Sequence, residues 1–576
     1  MGKQVYLCSC NRTITADAGE LATAANSAGA SGVHVFDAMC QRELERFNDV
    51  IEGDIAVACT QESRLLGEVA GESTKVSTIR FFNIREKAGW SKESSFATPK
   101  IAALIAEATL PDPQPTTQVS YQSKGETLII GAASDALPMA EMLKDSLRVN
   151  VLLTDANAEM PSVREYPIVS GTNTSVRGWL GAFEAKWEQQ NPIDLDACTR
   201  CNACIDACPE SAIDLTYQID LQKCKSHRAC VSACGDNNAI DFARASATAA
   251  RGGKFDIVVN LSERALFSQH QPPQGYLAPA DDAVSRMKAV AQAIALKGEF
   301  EKPKFFNYKP SICAHSRNKK TGCTQCIDVC STSAISPKGD HIEVTPELCM
   351  GCGACTTVCP SGALTYVYPR VSDLSARLKT LLKTYLASGG RDPTILLHDA
   401  GRGSDAISAL ARRGDGLPAS ALPLALHHPA AAGIDVWLGA FAYGATGVTV
   451  LVTNDIAPEY RTALAAQAMV ANMILASLGY QDCQVLIVDE LYFSGGLSRS
   501  PRGLAVRVAA TFNLSNDKRG TLDAVFAHLL EHAPTPKTII PLALGAPYGE
   551  IKVNADKCTM CLACVGACPE GALADN

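Results

Sequence analysis

The chain changes its hydrophobic rhythm several times, and each change marks a unit. Near the start, three short apolar runs, QVYLC, HVFDAMC and DIAVAC, each carry a cysteine at or just beyond their carboxyl end. Runs of this length and composition predict strands. After the proline-rich linker PDPQPTT, the segment GETLIIGAASDALPMAEMLKDSLRVNVLLTD reads strand, turn, helix, strand, with Asp155 at the second strand's end. A further strand, FDIVVNL near residue 255, suggests that the stretch before it is an insertion in the same α/β unit. From Val371 to about Ala546 the α/β rhythm returns: ILLHDAG, GVTVLVT and CQVLIVDE predict strands, and Arg461 to Gly479 predicts a helix.

With 576 residues the chain is too long for one hydrophobic core. A formal net charge of -8 with acids and bases interspersed argues against nucleic-acid binding, which needs a basic face to neutralise phosphates. The first residues carry no apolar run of signal-peptide length, and Tyr6 is not the Ser or Thr of a myristoylation site, so the expected compartment is the cytoplasm. Two uncharged stretches, Val436 to Asn454 and Thr462 to Gln481, have the length of a membrane span. The first breaks at Gly444 and Gly447, and the second carries Gln467 and Asn472 in an Ala-rich pattern, so no membrane span is expected. His427 and His428 diverge in direction as neighbours, which predicts a loop or solvent role rather than a metal site.

Cysteine changes this picture most. There are 24 of them, and dense thiols in a reducing compartment indicate metal or redox chemistry before disulfides. Nineteen, counting Cys313 with the third set, fall into five sets with one phrase: CTRCNACIDACPESAI from Cys198, CKSHRACVSACGDNNAI from Cys224, CTQCIDVCSTSAI from Cys323, CMGCGACTTVCPSGAL from Cys349 and CTMCLACVGACPEGAL from Cys558. Each ends in a small residue followed by Ile or Leu, as expected where a short helix after the last cysteine packs under a cluster. Three thiolates at i, i+3 and i+6 take three corners of an iron–sulfur cube, and the fourth cysteine, turned away by a following proline, ligates the other cluster of a two-cluster module. Proline follows Cys208, Cys359 and Cys568; Gly235 and Ser331 replace it elsewhere. Zinc ribbons, the competing structure, predict paired C-x-x-C knuckles without the third cysteine three residues on.

Pairing adjacent sets predicts two modules. In the first, one cluster takes Cys198, Cys201, Cys204 and Cys234, and the other takes Cys224, His227, Cys230 and Cys208. In the second, Lys320 stands where the leading cysteine belongs and Cys313 lies a short insertion upstream. The predicted sets there are Cys313, Cys323, Cys326 and Cys359, then Cys349, Cys352, Cys355 and Cys330. His227 fills a cysteine's place with a residue able to bind iron as a neutral imidazole; the alternatives are a [3Fe-4S] cluster beside a solvent-facing histidine or a decayed motif. The C-terminal set is half a module: Cys558, Cys561 and Cys564 are ligand candidates, and the fourth is Cys568, the remote Cys483 or a cysteine of another subunit. Cys483 also reads as a plain core thiol. Cys8, Cys10, Cys40 and Cys59 gather at one edge if their strands are parallel, which predicts a sixth cluster beside the alternative of core thiols or a redox pair.

The strand–helix–strand segment has the frame of a dinucleotide-binding unit, but Ala133 and Ala136 replace the second and third glycines after Gly131, which argues against bound FAD. The predicted fold class is α/β and multidomain: Rossmann-like α/β scaffolds with inserted and appended ferredoxin-type (α+β) 4Fe-4S modules.

YLCSCNRTI, AMC, VACT and FFNIREKAGW resemble the first domain of the A subunit of heterodisulfide reductase. That resemblance implies a flavin-binding thioredoxin-reductase-like fold with ferredoxin inserts over the first half of the chain; the altered glycine fingerprint departs from it. The segment ASALPLALHHPAAAGIDVWLGAFAYGATGVTVLVT is similar to the delta subunit of the methyl-viologen-reducing hydrogenase, without that subunit's cysteines. Chains of this mixed kind also resemble iron–sulfur proteins that accompany molybdenum-dependent formate dehydrogenases. The expected division is therefore 1–110 (N-terminal α/β, four Cys), 111–124 (linker), 125–190 (Rossmann-like), 191–245 (first module), 246–305 (return of the α/β part), 306–370 (second module), 371–548 (delta-subunit-like) and 549–576 (C-terminal motif).

The function these features imply is cytoplasmic relay of single electrons through five clusters, six with the N-terminal group. The implied partner is a formate dehydrogenase or a hydrogenase- or heterodisulfide-reductase-type complex. The expectation is an electron-transfer subunit rather than an enzyme with its own substrate. The alternatives are a flavin-dependent oxidoreductase, marked by a released yellow cofactor, and a maturation factor, marked by labile clusters handed to an apo-protein.

Overall fold

The computed structural model describes residues 3–568 and 573, apart from 17, 156, 190, 244–249, 318–319, 494, 496–505, 544–545 and 550. Pro569, expected to turn the last thiol of the C-terminal motif, lies outside the described residues. Among those described, helices and strands mix, with several parallel sheets.

The first apolar runs become β1 (Gln4–Cys8), β2 (Gly32–Phe36) and β3 (Gly53–Val57), joined by β4 (Val76–Phe81) in a parallel sheet ordered β2-β1-β3-β4. Val5, Tyr6, Leu7 and Cys8 are all buried, as a strand covered on both faces requires. Helix α1 (Thr98–Thr109) follows, with proline in its first turn and apolar residues on nearly every side.

The expected linker 111–124 is only half a linker. Its second part is β5 (Gln118–Ser123), whose alternating burial places Tyr121 and Ser123 inward. Next come β6 (Glu126–Ala132), α2 (Ala133–Leu143), β7 (Arg148–Asp155) and β8 (Ile168–Ser170), then β9 (Thr172–Arg177) and β10 (Phe183–Glu188). The first module intervenes before β11 (Ala250–Phe255), β12 (Ile257–Asn260), β13 (Tyr276–Leu277) and β14 (Gly298–Pro303). The order β13-β12-β6-β7-β8 is a parallel sheet, β11-β10-β9 an antiparallel one, and β14 pairs β5. Because β10 and β11 are hydrogen-bonded neighbours, the module between them enters and leaves at one place.

Beyond the second module, α3 (Val371–Ala387) leads to β15 (Thr394–Asp399), β16 (Ala421–Leu426), α4 (Ile434–Ala442), β17 (Gly447–Val452), α5 (Pro458–Ser477), β18 (Gln484–Asp489) and α6 (Lys518–Glu531). The sheet is parallel, ordered β16-β15-β17-β18. The uncharged stretch from Val436 is α4, a turn at Gly444 (φ +101°) and β17, every residue of both elements buried. Helix α5 begins ahead of the expected Arg461 because Pro458 sits in its first turn. No helix among the described residues is long and apolar enough to cross a membrane.

This last sheet and the N-terminal one share a core. α1 packs on α3, and Ile101, Leu104, Leu378, Leu382 and Trp437 belong to one buried cluster. At the seam, Lys100 is fully buried and its Nζ donates to the carbonyls of Leu417 and Pro418, the latter at 2.5 Å.

Candidate metal centres

Four of the five cysteine loops share a backbone before they share a chemistry; the loop at Cys323 departs from it, with Thr324 at φ −124°. In the first, Arg200 and Asn202, on either side of Cys201, have φ of +58° and +65°. Ser226 and Arg228 flank His227 at +63° and +64°, Gly351 and Gly353 flank Cys352 at +77° each, and Met560 and Leu562 flank Cys561 at +50° and +57°. The left-handed region costs a side-chain-bearing residue about 1–2 kcal/mol, so six non-glycine residues hold it against their own preference. What it secures is the direction of the amides: the N–H of Arg200 donates to Cys198 Sγ, and that of Ser226 to Cys224 Sγ, each at 3.4 Å. The histidine loop therefore has the cysteine loops' geometry.

A short helix follows each loop, but not where the repeat placed it. Ala203–Asp206, Gln325–Asp328, Ala354–Val358 and Ala563–Ala567 lie before the fourth cysteine, and Ala229–Cys234 ends on it. The Ala-Ile pairs after the fourth cysteine form bridges instead: Ile240 pairs Ile193, and Ile213 pairs Ile219. Proline or a turn just past the cysteine stops the helix there.

In the first module Cys198 has Cys234 and Cys201 as charge neighbours, and Cys230 has Cys208 and Cys224. His227 is exposed, as Cys201 is, with its Nε2 3.8 Å from the Glu210 carboxylate. In the second module Cys313, Cys323, Cys326 and Cys359 line one small cavity, and Cys330, Cys349, Cys352 and Cys355 line another. Cys313 reaches its group from a turn at Pro310–Ile312, and His315 holds the intervening loop through Nδ1 at 2.9 Å from the Cys323 carbonyl. Burial, with neighbouring thiols second, pushes Cys326 and Cys352 up to about 12. Such crowding disfavours free thiolates and is relieved when a cation replaces the protons, so the donor sets fit iron–sulfur clusters.

The flanking units brace this second module. Tyr460, from α5, is buried; its hydroxyl bonds Ser331 Oγ and lies beside the Cys352 thiol, whose ionised form it favours. Ser331 is the residue that stands in proline's place after Cys330. Lys302 Nζ donates to the carbonyls of Glu347 (2.7 Å) and Cys349 (2.8 Å), and Lys518 Nζ to those of Thr356 (3.2 Å), Thr357 and Cys359 (3.0 Å). Tyr366 donates to the Gly351 carbonyl at 2.7 Å. None of these residues carries a sequence signal of its own except Ser331, visible as a missing proline.

At the N-terminal edge, Cys8, Cys10, Cys40 and Cys59 line a cavity of about 320 Å³ together with Asn83, Arg85 and Glu86. The last three come from FFNIREKAGW, a wide helical turn at Arg85–Gly89. Arg85 Nη1 donates to Cys10 Sγ at 3.3 Å, and Arg85 and Asn83 both hold the buried Glu86. The C-terminal Cys558, Cys561 and Cys564 are exposed, whereas Cys483 is buried in the core beside Tyr480. His428 caps the turn Pro429–Ala431, its Nδ1 accepting from Ala430 N–H at 3.1 Å, while His427 stacks on Phe305.

Comparison with known proteins bears on three of these segments. Residues 191–235 and residues 320–363 each match the description "4Fe-4S dicluster domain", and residues 551–574 match "4Fe-4S binding domain". Hydrogenase-4 component A of Escherichia coli (strain K12) is 38% identical over 56 residues, 10% of this chain and 25% of that protein. An uncharacterized ferredoxin of Methanocaldococcus jannaschii is 35% identical over 57 residues, 10% of this chain and 31% of its own length. A second uncharacterized ferredoxin of that organism is 35% identical over 51 residues, 9% of this chain but 82% of its own length. The match thus spans only a quarter to a third of the first two relatives. Three 4Fe-4S domains and the paired thiols make this an iron–sulfur chain with an electron-transfer role.

Proposed function

Since the chain belongs to the ferredoxin-type 4Fe-4S proteins, we propose that it is a multi-cluster relay: four clusters in the two paired modules, a fifth at the C-terminal motif and a sixth in the N-terminal pocket. The observation that carries the reading is that the second module's eight thiols line two cavities, four in each, with Cys359 and Cys330 each lining the cavity of the facing loop, while in the first module Cys234 lies near Cys198 and Cys208 near Cys230. A bound cluster supplies a one-electron store whose potential follows from ligand type, hydrogen bonds to sulfur and exposure. The chain's part is to hold the thiolates, aim amides and the Tyr460 hydroxyl at sulfur, and leave some loops open to partners. Exposed Cys201, His227 and Cys561 mark those open ends, while Cys352 and Cys355 are half-buried.

The likeness to a hydrogenase component and to ferredoxins supports a redox-protein partner, for which a hydrogenase- or heterodisulfide-reductase-type complex and a molybdenum-dependent formate dehydrogenase are the candidates. Against a dinucleotide at β6–α2, the helix N-terminus is taken: Ser134 N–H donates to Asn157 Oδ1 at 2.9 Å and Asp135 adds a negative charge in the first turn. Ala133 and Ala136 are fully buried.

Iron and acid-labile sulfide per chain, with EPR of the reduced protein, test the reading. The expected content is about twenty of each for five clusters and about twenty-four for six, at four irons per cluster. Zinc in place of iron, or released flavin with iron far below that content, overturns it.

A further inference from the structure

The last turn of helix α6 and its cap His532 read HLLEH, remote from any cysteine loop in sequence. The helix's first residue, Lys518, touches the Cys359 carbonyl, and its last turn lies about 15–20 Å away along the axis. There His528 and His532, one turn apart, share a face with Glu531, and one donor atom from each lies within 4.8 Å of the other two. The two rings are 4.5 Å apart, centroid to centroid.

One of the rings is already oriented as a ligand would be. His528 Nε2 lies 2.9 Å from the Val508 carbonyl, and a carbonyl only accepts, so Nε2 is the donor and Nδ1 is the ring nitrogen left for a metal. Ligating histidines are held by this kind of contact, the second ring nitrogen donating to a backbone carbonyl. Phe512 packs edge-on against the same ring, 6.0 Å between centroids. A helix C-terminus favours one protonated histidine. It does not account for two rings at this spacing, since two imidazolium ions would repel.

We propose that His528, Glu531 and His532 bind one borderline-soft divalent cation of the zinc class, with a fourth position left to water. Two imidazoles and a carboxylate suit that ion better than magnesium or calcium, which prefer all-oxygen sets. The ion cross-links the last turn of α6, and by fixing His528 it reinforces that ring's bond to the Val508 carbonyl.

Zinc titration of the cluster-loaded full chain, followed by calorimetry and metal analysis, tests the site. One zinc per chain is expected with no loss of iron, and H532A and E531Q should each weaken binding at least about tenfold with iron content and circular dichroism unchanged. H532N, a milder change at the helix end, should do the same if H532A misfolds. The proposal is overturned if wild-type protein binds no zinc, if zinc enters only as iron leaves, or if the well-folded variants bind it with unchanged affinity.

Discussion

His227 stands in a backbone built for a ligand, since Ser226 and Arg228 adopt the left-handed conformation that Arg200 and Asn202 adopt around Cys201. A decayed loop has no reason to keep that strain. Replacing a thiolate with a neutral imidazole raises a cluster's potential, so His227→Cys is expected to lower one midpoint by on the order of 100 mV, read by redox titration under EPR. An unchanged spectrum and midpoint would put the imidazole outside the coordination sphere. Tyr460 acts on the second module in the same sense. Its hydroxyl beside the Cys352 sulfur favours the more negative, reduced state, and Tyr460→Phe should lower that cluster's midpoint by roughly 40 mV, about 1 kcal/mol for one electron. Iron content should not change; a lost cluster would make the tyrosine a structural prop instead.

Among the elements, the cysteine loops compare with one another as variants of one design. Asn202, Arg228 and Leu562 occupy the position of Gly353 at similar φ, so the backbone alone does not demand glycine there. The neighbour does: a Cβ on Gly353 would lie 2.6 Å from Ala431 Cα. Gly353→Ala is therefore expected to force the loop away from the last α/β unit and cost about four irons per chain by metal analysis, whereas Asn202→Gly keeps its iron. The periodic spacing made these loops legible in the sequence, because ligand geometry is local. The short helices were misplaced because the small-apolar pair after the fourth cysteine reads equally as a helix or a bridge. β5 was hidden by the prolines before it, although Val119, Tyr121 and Ser123 alternate as a strand should.

For the whole molecule, the unexpected feature is that the first and last α/β units share one core, pinned by Lys100. Burial lowers that amine from 10.5 to about 7. Between about pH 7 and 10.5 the unfolded chain then binds a proton that the folded one does not, so stability rises with pH across that window by at most about 1.4 kcal/mol per unit. Urea unfolding at pH 7 and pH 9 should show the rise, and Lys100→Met should flatten it; a slope that survives the substitution belongs to other groups.

By itself the sequence determined the strand-rich runs, the five cysteine sets and the odd residues at His227 and Ser331, and it proposed a facing-loop partner for the fourth cysteine of each paired set. Those are encoded in spacing and period over a few residues. Only the tertiary structure decided that α1 packs on α3, that a lysine is buried at their seam, and that Ser331 meets Tyr460 across 129 positions of chain. Contacts of that reach arise from how whole faces fit together, and no short stretch of sequence carries them.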